Sequence, residues 1–358
     1  MRRSLFKIFI FFDFLLAILL LMSYLANYIS PSLSLVIALS GMAYSYFVVL
    51  FSIFTLGLFF LKKIKYLFFN IAIILLGWSN LTAWVQFNIS TDQASEFRVM
   101  SYNVKLFDLY NWQHNQESKK DILNYISQQK PDIISFQEFY YDNRTFLIDS
   151  VSKALNLPYY YVTDSRFLHG FEHFGQAIFS KYPIVEKKLI RFPNSTNMSM
   201  YCDIEVSKDK VIRVFSNHLE SYRFSASDYE LMQEIKDKET DVKKVSGLLE
   251  RLEVALVKRS YQAGKVASLV YSSPYPVIVT GDFNDTPNSY AYHQISKGLS
   301  DAFIESGSGF SHTYKGSFPS FRIDFILYSK SLKSVNYKRL KFDRSDHFPI
   351  YSDFIFNN

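Results

Sequence analysis

The chain has 358 residues, of which 49% are hydrophobic and 18% are aromatic, and its formal net charge is +6. This composition is ample for a full hydrophobic core. The single cysteine, Cys202, excludes an internal disulfide and leaves the cellular compartment open.

Three long apolar runs fill the N-terminal part of the chain, at 5–26, 32–61 and 66–87. Each is at or above the roughly 20 residues that a helix needs to cross a bilayer. A cleavable signal peptide would explain only the first run, and no clear Ala-x-Ala-like site follows it. The sequence therefore predicts three transmembrane helices in a membrane anchor of residues 1–90, followed by a globular domain of residues 91–358.

The charge is also concentrated in the anchor. Residues 1–90 contain six basic residues and one acid, Asp13, which is a net charge of +5 and leaves +1 for residues 91–358. The globular part therefore lacks the basic excess that favours non-specific DNA binding. The basic residues lie in two clusters, 2–7 and 62–65, with an uncharged turn at 27–31 between the first two helices.

Basic residues near helix ends stay on the cytoplasmic side of a membrane. With both basic clusters inside, three crossings place the chain after residue 91 on the outer face. We therefore predict a multi-pass inner-membrane protein whose globular domain faces the periplasm or exterior. The alternative is that the second run is a buried hairpin, which would place the domain in the cytoplasm.

Strands and helices alternate along the globular part, which predicts an α/β fold. Strands are predicted at 97–104, 132–136, 175–181, 200–206, 211–217, 276–280, 322–328 and 348–356. Helices are predicted at 119–129, at 146–155 and within 227–271, as two helices or one long one.

One stretch, 277–287, combines a buried strand with a polar turn. Four apolar or β-branched residues run into Gly281, and Asp282 and Asn284 follow. The two polar residues are separated by one position, so their side chains can face the same way. This pattern predicts an active-site platform at a sheet edge, with an ordinary strand-to-turn junction as the alternative.

Other strand ends carry the same residue types. The set comprises Asn103, Glu138, His218, Asp282, Asn284, Asp324, Asp346 and His347. Amide, carboxylate and imidazole groups are the ligands and acid–base groups that phosphate chemistry with a hard cation requires. A capped turn explains any one of them equally well, but the whole set in apolar contexts points to a catalytic site.

These segments, taken in order, resemble the endonuclease/exonuclease/phosphatase superfamily, which includes DNase I, exonuclease III-like repair nucleases and neutral sphingomyelinases. The matching segments are Ser101-Tyr102-Asn103-Val104, Gln137-Glu138, 175–183, Asn217-His218-Leu219, Gly281-Asp282-Phe283-Asn284, 322–326 and Ser345-Asp346-His347. The resemblance covers residues 95–357 and implies a DNase I-like, four-layer α/β/β/α sandwich with the site at one edge.

The resemblance also implies roles. Asn103, Glu138 and Asp346 would hold one Mg²⁺ or Mn²⁺. Asp282 would orient or deprotonate the attacking water, and Asn284 would donate a hydrogen bond to the phosphate. His347 would pair with Asp324. His218 would contact the phosphate or protonate the leaving group.

The sequence thus predicts a membrane-anchored, metal-dependent hydrolase of phosphate esters, either a phosphodiesterase or a phosphomonoesterase. Its expected partners are the bilayer and a phosphate-ester substrate. One alternative is an extracytoplasmic endonuclease or exonuclease with nucleic acid as substrate, against which the near-neutral domain argues. Another is an inactive binding protein with the same fold, against which the complete set of catalytic residue types argues.

Overall fold

Two six-stranded sheets lie at the centre of the structure, a computed structural model that describes residues 2–89, 93–110, 118–222, 242–316 and 321–357. The first sheet contains, in spatial order, β13 (Leu332–Arg339), β14 (Ile350–Phe356), β2 (Phe97–Asn103), β3 (Ile133–Asp142), β5 (Glu172–Ser180) and β4 (Tyr159–Leu168). The second contains β10 (Leu299–Asp301), β12 (Asp324–Ser329), β9 (Val277–Asp282), β8 (Lys210–His218), β7 (Met198–Ser207) and β6 (Ile184–Arg191). The pairs β2–β3 and β8–β9 are parallel, so the sheets are mixed.

Helices cover the outer faces of both sheets. Helices α6 (Ser118–Gln129) and α7 (Ile148–Leu155) pack on the first sheet, and α8 (Val242–Tyr271) and α9 (Tyr290–Ser296) pack on the second. A short helix, α10 (Ala302–Ser306), follows β10. The predicted α/β class is confirmed, and the layers are consistent with the DNase I-like sandwich. Residues 227–241 of the predicted helical segment lie outside the described residues.

The space between the sheets changes from apolar to polar along the strands. Ile133, Met200 and Ile278 belong to the apolar part, which both sheets line. Further along β3, the Ser135 hydroxyl lies 2.6 Å from the Thr280 hydroxyl, and Gln137 hydrogen-bonds to Ser216 (3.1 Å). Because buried polar groups need partners, these pairs order the edge where β2, β3, β8 and β9 end.

The predicted strands all occur, but the sequence analysis missed several others, among them two charged edge strands, β6 and β13. Both sit at the outer edge of a sheet, and both carry several lysines or arginines. Charged side chains on edge strands block pairing with other chains, and they also remove the hydrophobic alternation that identifies a strand.

The prediction of three continuous membrane helices is wrong. Of the described helices, only α1 (Arg2–Leu25) is long and apolar enough to cross a membrane by itself, and an N-terminal signal sequence would also pass this test. The run 32–61 forms α2 (Leu35–Met42) and α3 (Tyr44–Phe60), which meet at 67° as a broken span or a re-entrant loop. The run 66–87 forms α4 (Ile64–Leu76), α5 (Trp78–Thr82) and strand β1 (Val85–Phe87), which pairs with β11 (Ser308–Phe310).

Contact with the sandwich accompanies the break between α2 and α3. A Cβ atom at Gly41 would lie 2.3 Å from the carbonyl oxygen of Asn288 and 2.4 Å from Cβ of Ala26. Only glycine therefore lets the end of α2 pack this closely against both neighbours. The predicted domain boundary at residue 90 lies outside the described residues.

Candidate active site

Strand register brings the predicted site residues to one edge of the sandwich. In the first sheet, Asn103 lies opposite Gln137, next to Glu138. In the second, Asp282 lies between His218 on β8 and Asp324 on β12. The carboxyl ends of the two parallel pairs thus meet at the polar edge described above.

Gly281 makes this register feasible. Its φ of +126° lies in a region that L side chains rarely adopt, and a Cβ atom there would lie 2.1 Å from the carbonyl oxygen of Asn217. The close approach of β8 and β9 therefore requires glycine immediately before Asp282. The amide of Asn217 also donates a 2.9 Å hydrogen bond to the Thr280 carbonyl, which ties the two strands together.

Three buried side chains, Asp324, His347 and Asp282, form a line in that order. Nδ1 of His347 lies 2.9 Å from Oδ2 of Asp324, and its Nε2 lies 3.7 Å from Oδ2 of Asp282. Burial lowers the pKa of His347, but the two neighbouring carboxylates outweigh burial and raise it to about 10. His347 is therefore protonated at neutral pH, with Asp324 fixing the orientation of its ring.

Asp282 is a fully buried carboxylate of the site, with 1% of its surface exposed. It accepts hydrogen bonds from the Asn103 amide (3.0 Å) and the Asn284 backbone N–H (2.8 Å). Burial raises its pKa to about 6, although His347 and His218 oppose the shift. A carboxylate with a pKa this close to neutrality is suited to accept a proton from water.

The predicted metal ligands lie beside this line. The Asn103 amide donates to Oε1 of Glu138 (3.2 Å), and Lys105 Nζ lies 2.9 Å from Oδ2 of Asp346. Burial and the nearby Asp346 carboxylate raise the pKa of Glu138. Burial also raises the pKa of Asp346, but His347 and Lys105 outweigh it and keep that pKa below its usual range. Two neighbouring carboxylates and an amide oxygen suit a hard cation, whose charge would relieve their repulsion.

A second group of potential ligands overlaps the line of buried side chains. Asp282, Asp324 and His347 each offer one ligand atom, and these atoms lie within 4.8 Å of one another. However, His347 is protonated at neutral pH, and an imidazolium has no lone pair to offer a metal. The set of Asn103, Glu138 and Asp346 therefore suits a cation better.

The remaining two predicted residues, His218 and Asn284, stand at the end of β8 and just after β9. His218 Nε2 lies 3.7 Å from Glu138 and 3.9 Å from Asp282, and it has no hydrogen-bond partner among the described residues. Burial lowers the pKa of His218, so its ring is neutral at neutral pH. The Asn284 amide donates to the Leu219 carbonyl (3.0 Å), so Asn284 is turned towards the segment after His218. Its donation to a phosphate stays a prediction.

Arg259 on α8 was missed by the sequence analysis. It is fully buried, lies 2.9 Å from Asp285 and donates to the Glu220 carbonyl (2.8 Å). It therefore joins the segment after His218 to the turn after Asp282. Its spacing offered a signal, because Arg259 follows Ala255 and Leu256 at helical intervals of four and three on the apolar face.

Two family profiles match separate parts of the chain. The Endonuclease/Exonuclease/phosphatase family matches residues 100–347. A domain of unknown function (DUF8431) matches residues 6–84. None of the curated proteins matches the chain.

Solved structures with the same sandwich are distant in sequence. The human Nocturnin catalytic domain is 20% identical, with a TM-score of 0.54 over 76% of this chain and 97% of that one. A family protein from Bacteroides thetaiotaomicron is 19% identical, with a TM-score of 0.52 over 73% and 98%. ANGEL2, a 2',3'-cyclic phosphatase in complex with adenosine-2',3'-vanadate, is 17% identical, with a TM-score of 0.51 over 72% and 95%. At these identities the likeness concerns the fold.

Proposed function

The chain belongs to the endonuclease/exonuclease/phosphatase family, and from this premise we propose that it hydrolyses phosphate esters with Mg²⁺ or Mn²⁺ bound. The observation that carries the proposal is the line of Asp324, His347 and Asp282, in which a desolvated carboxylate with a pKa of about 6 lies beside a protonated imidazole. A binding protein has no need for this arrangement.

Each side chain has a definite task in this reaction. Asp282 accepts a proton from the water whose oxygen forms the new bond to phosphorus, while the phosphorus–oxygen bond to the alcohol breaks and the leaving oxygen takes a proton from solvent. His347, held by Asp324, places positive charge near Asp282 and the phosphate oxygens, where negative charge accumulates. His218 offers an N–H to a phosphate oxygen or to the leaving oxygen. Asn103, Glu138 and Asp346 would hold the cation, which when bound neutralises phosphate charge.

The function test is a hydrolysis screen of the full-length protein in detergent with Mg²⁺ or Mn²⁺. The substrates are nucleic acid, phospholipid, sphingomyelin, inositol phosphates and model diesters. A 2',3'-cyclic nucleotide is added because ANGEL2 is a 2',3'-cyclic phosphatase. We expect hydrolysis of at least one non-nucleic class. Cleavage of DNA or RNA alone would favour the nuclease alternative, and no hydrolysis at all would favour the inactive binding protein.

We also propose that α1–α4 lie in a membrane. The support is that polar side chains lie inside the helix bundle and apolar side chains lie on its surface, the reverse of a water-soluble bundle. The Asn70 amide donates to Asp13 (2.7 Å) and Thr55 (3.1 Å), and all three residues are buried inside the bundle. Large apolar residues such as Phe11 and Phe60 are exposed on its outside. Lipid favours this distribution, since polar groups must be satisfied within the protein.

The two ends of the bundle differ in charge. Lys63 lies over the ring of Phe6, so the second basic cluster is at the same end as the N-terminus. At the other end, Tyr44 packs near Trp84, which contacts the sandwich. We infer that the basic end faces the cytoplasm and that the sandwich lies on the other side.

We expect alkaline phosphatase fused after Ile89 to be active in cells and a green fluorescent reporter fused there to be dark. The predicted start of the outer domain, residue 91, lies outside the described residues, so the fusion is placed at Ile89, just before it. A fusion after Leu33, which follows α1 alone, is the control and should behave in the same way. An inactive phosphatase fusion and a fluorescent green reporter fusion after Ile89 would place the sandwich in the cytoplasm.

A further inference from the structure

The helix bundle and the sandwich meet close to the turn that follows Asp282. The indole N–H of Trp84 donates a 2.6 Å hydrogen bond to Oδ1 of Asn288. Asn288 follows Asn284 by four residues, a chain distance of at most about 14 Å. The end of the bundle is therefore held close to Asp282 and Asn284.

Two further contacts join the same segment to the other side of the site. Arg322, two residues before Asp324, donates to the Ala83 carbonyl (3.1 Å), and the Ser311 backbone N–H donates to the Trp84 carbonyl (3.1 Å). Ala83 and Trp84 are thus fastened to the segments that lead into the catalytic residues. The site has a fixed position relative to the bundle.

The strands β1 and β11 form a two-stranded ribbon next to this contact between the bundle and the sandwich. Phe310 pairs with Val85, so Phe310, Val85 and Phe87 share one face of the ribbon. Phe310 is 74% exposed and Phe87 is 86% exposed, and Ile89, just beyond the ribbon, is 89% exposed. In the chain, the ribbon strand β1 directly follows α5.

The ribbon also leads directly to the site. Thr313 follows Phe310 by three residues, at most about 11 Å of chain. Its hydroxyl accepts a 3.0 Å hydrogen bond from the Asp324 backbone N–H. The next residue, Tyr314, forms a β-bridge with His347, and the two rings are 5.1 Å apart. Because β1 directly follows α4 and α5, the ribbon would lie near the lipid headgroups when the bundle is in a membrane.

We propose that the ribbon rests on the bilayer surface and that the substrate is a phosphate ester carried by a lipid. The inference rests on the proposed function, both the hydrolysis and the membrane location of the bundle. The bilayer is the occupant of the exposed face because Phe87, Ile89 and Phe310 are large, apolar and exposed, and β1 directly follows the proposed membrane helices in the chain. A headgroup phosphate at this height reaches the site without the lipid leaving the membrane.

The experiment compares lipid and water-soluble substrates for the full-length protein in phosphatidylcholine vesicles. The lipid arm contains phosphatidic acid, and the soluble arm uses glycerol 3-phosphate, which has the same phosphate without acyl chains; phosphatidylglycerol and a soluble model diester form the diester pair. We expect kcat/KM for one lipid to exceed that for its soluble counterpart by about tenfold or more. The reason is that burying the exposed apolar side chains of the ribbon in the bilayer contributes at least that much to binding.

Phe310→Ser tests the ribbon. We expect it to lower hydrolysis of the vesicle lipid by about tenfold, since one exposed phenylalanine loses its contact with lipid, and to leave the soluble arm within about twofold. Val185→Ser is the matched control. Val185 is an exposed apolar residue on β6, one edge of the second sheet, whereas β12, the strand that follows Arg322, lies near the other edge. It should change neither arm.

A contact measurement gives a readout independent of activity. Phe310→Trp should add fluorescence that brominated acyl chains quench, and Val185→Trp should add fluorescence that they do not quench. Equal hydrolysis of lipid and soluble esters, or an added signal in the Phe310→Trp variant that stays unquenched, would overturn the inference and leave the proposed hydrolysis intact. No hydrolysis in either arm would overturn the inference, and no hydrolysis in the substrate screen as well would overturn both proposals.

Discussion

Replacing Asp282 with asparagine is expected to lower the rate constant of phosphate-ester hydrolysis by at least about 10²–10⁴-fold, the usual contribution of a positioned acid–base group. Asparagine keeps the shape of the side chain and can still accept the Asn284 backbone hydrogen bond. It removes the proton acceptor and the negative charge. The measurement is the single-turnover rate at saturating Mg²⁺ on whichever ester the screen identifies.

The fold should survive this change. Burial raises the pKa of Asp282 from 3.8 to about 6, so the folded state favours the protonated form. The ionised carboxylate therefore costs stability as pH rises from about 4 to about 6, and asparagine removes this cost. The melting temperature at neutral pH should be unchanged or higher. Asp209→Asn, in the exposed turn between β7 and β8, is the control and should keep full activity.

The paired substitution sharpens the test. His347→Gln removes the imidazolium beside Asp282 while keeping a polar group near Asp324. If the two residues act in one mechanism, the double variant should be little worse than Asp282→Asn alone. Losses below tenfold for both single variants would show that these residues do not carry the chemistry.

Removal of divalent cations is expected to abolish hydrolysis, and addition of Mg²⁺ or Mn²⁺ to restore it. The reason is the cluster of Asn103, Glu138 and Asp346, where Glu138 carries a pKa raised by burial and by Asp346. A bound cation stabilises such facing carboxylates and in turn should raise the melting temperature. The measurements are activity and thermal unfolding in EDTA and across a Mg²⁺ titration.

Glu138→Gln identifies the ligand. Its half-saturating Mg²⁺ concentration should rise by about tenfold or more, because even partners of metal ligands contribute about 10–100-fold to affinity. Glu96→Gln is the matched control, since Glu96 forms an exposed ion pair with Lys210. Full activity in excess EDTA, in a sample shown to be free of metal, would remove the metal from the mechanism.

Local patterns were enough to predict the α/β class and the strand ends that carry the site. Val277 to Thr280 followed by Gly281 and Asp282 is readable because strand hydrophobicity and turn chemistry depend on neighbouring residues. The missed edge strands β6 and β13 show the limit of this method. Their lysines block pairing with other chains at the edge of a sheet, and only the assembled sheet shows which strands lie at its edges.

The N-terminal runs show a second limit. Hydropathy correctly identified the apolar segments, and it predicted α1 as a continuous helix. It did not show that the second run bends near Gly41. The break lies two residues after Gly41, and the close packing of Gly41 on Asn288, about 250 residues away in the sequence, appears only in the tertiary structure.

The sequence by itself determined which residue types stand at the strand ends, and hence the expectation of phosphate chemistry. The resemblance also implied the pair of Asp324 and His347, which lie 2.9 Å apart in the structure. Only the tertiary structure decided the link from Asn103 to Asp282 and the contacts of the buried Arg259. It also decided the protonation states of Asp282 and His347. Both depend on burial and on neighbours from distant parts of the chain, which meet only when the parallel pairs β2–β3 and β8–β9 end at one edge.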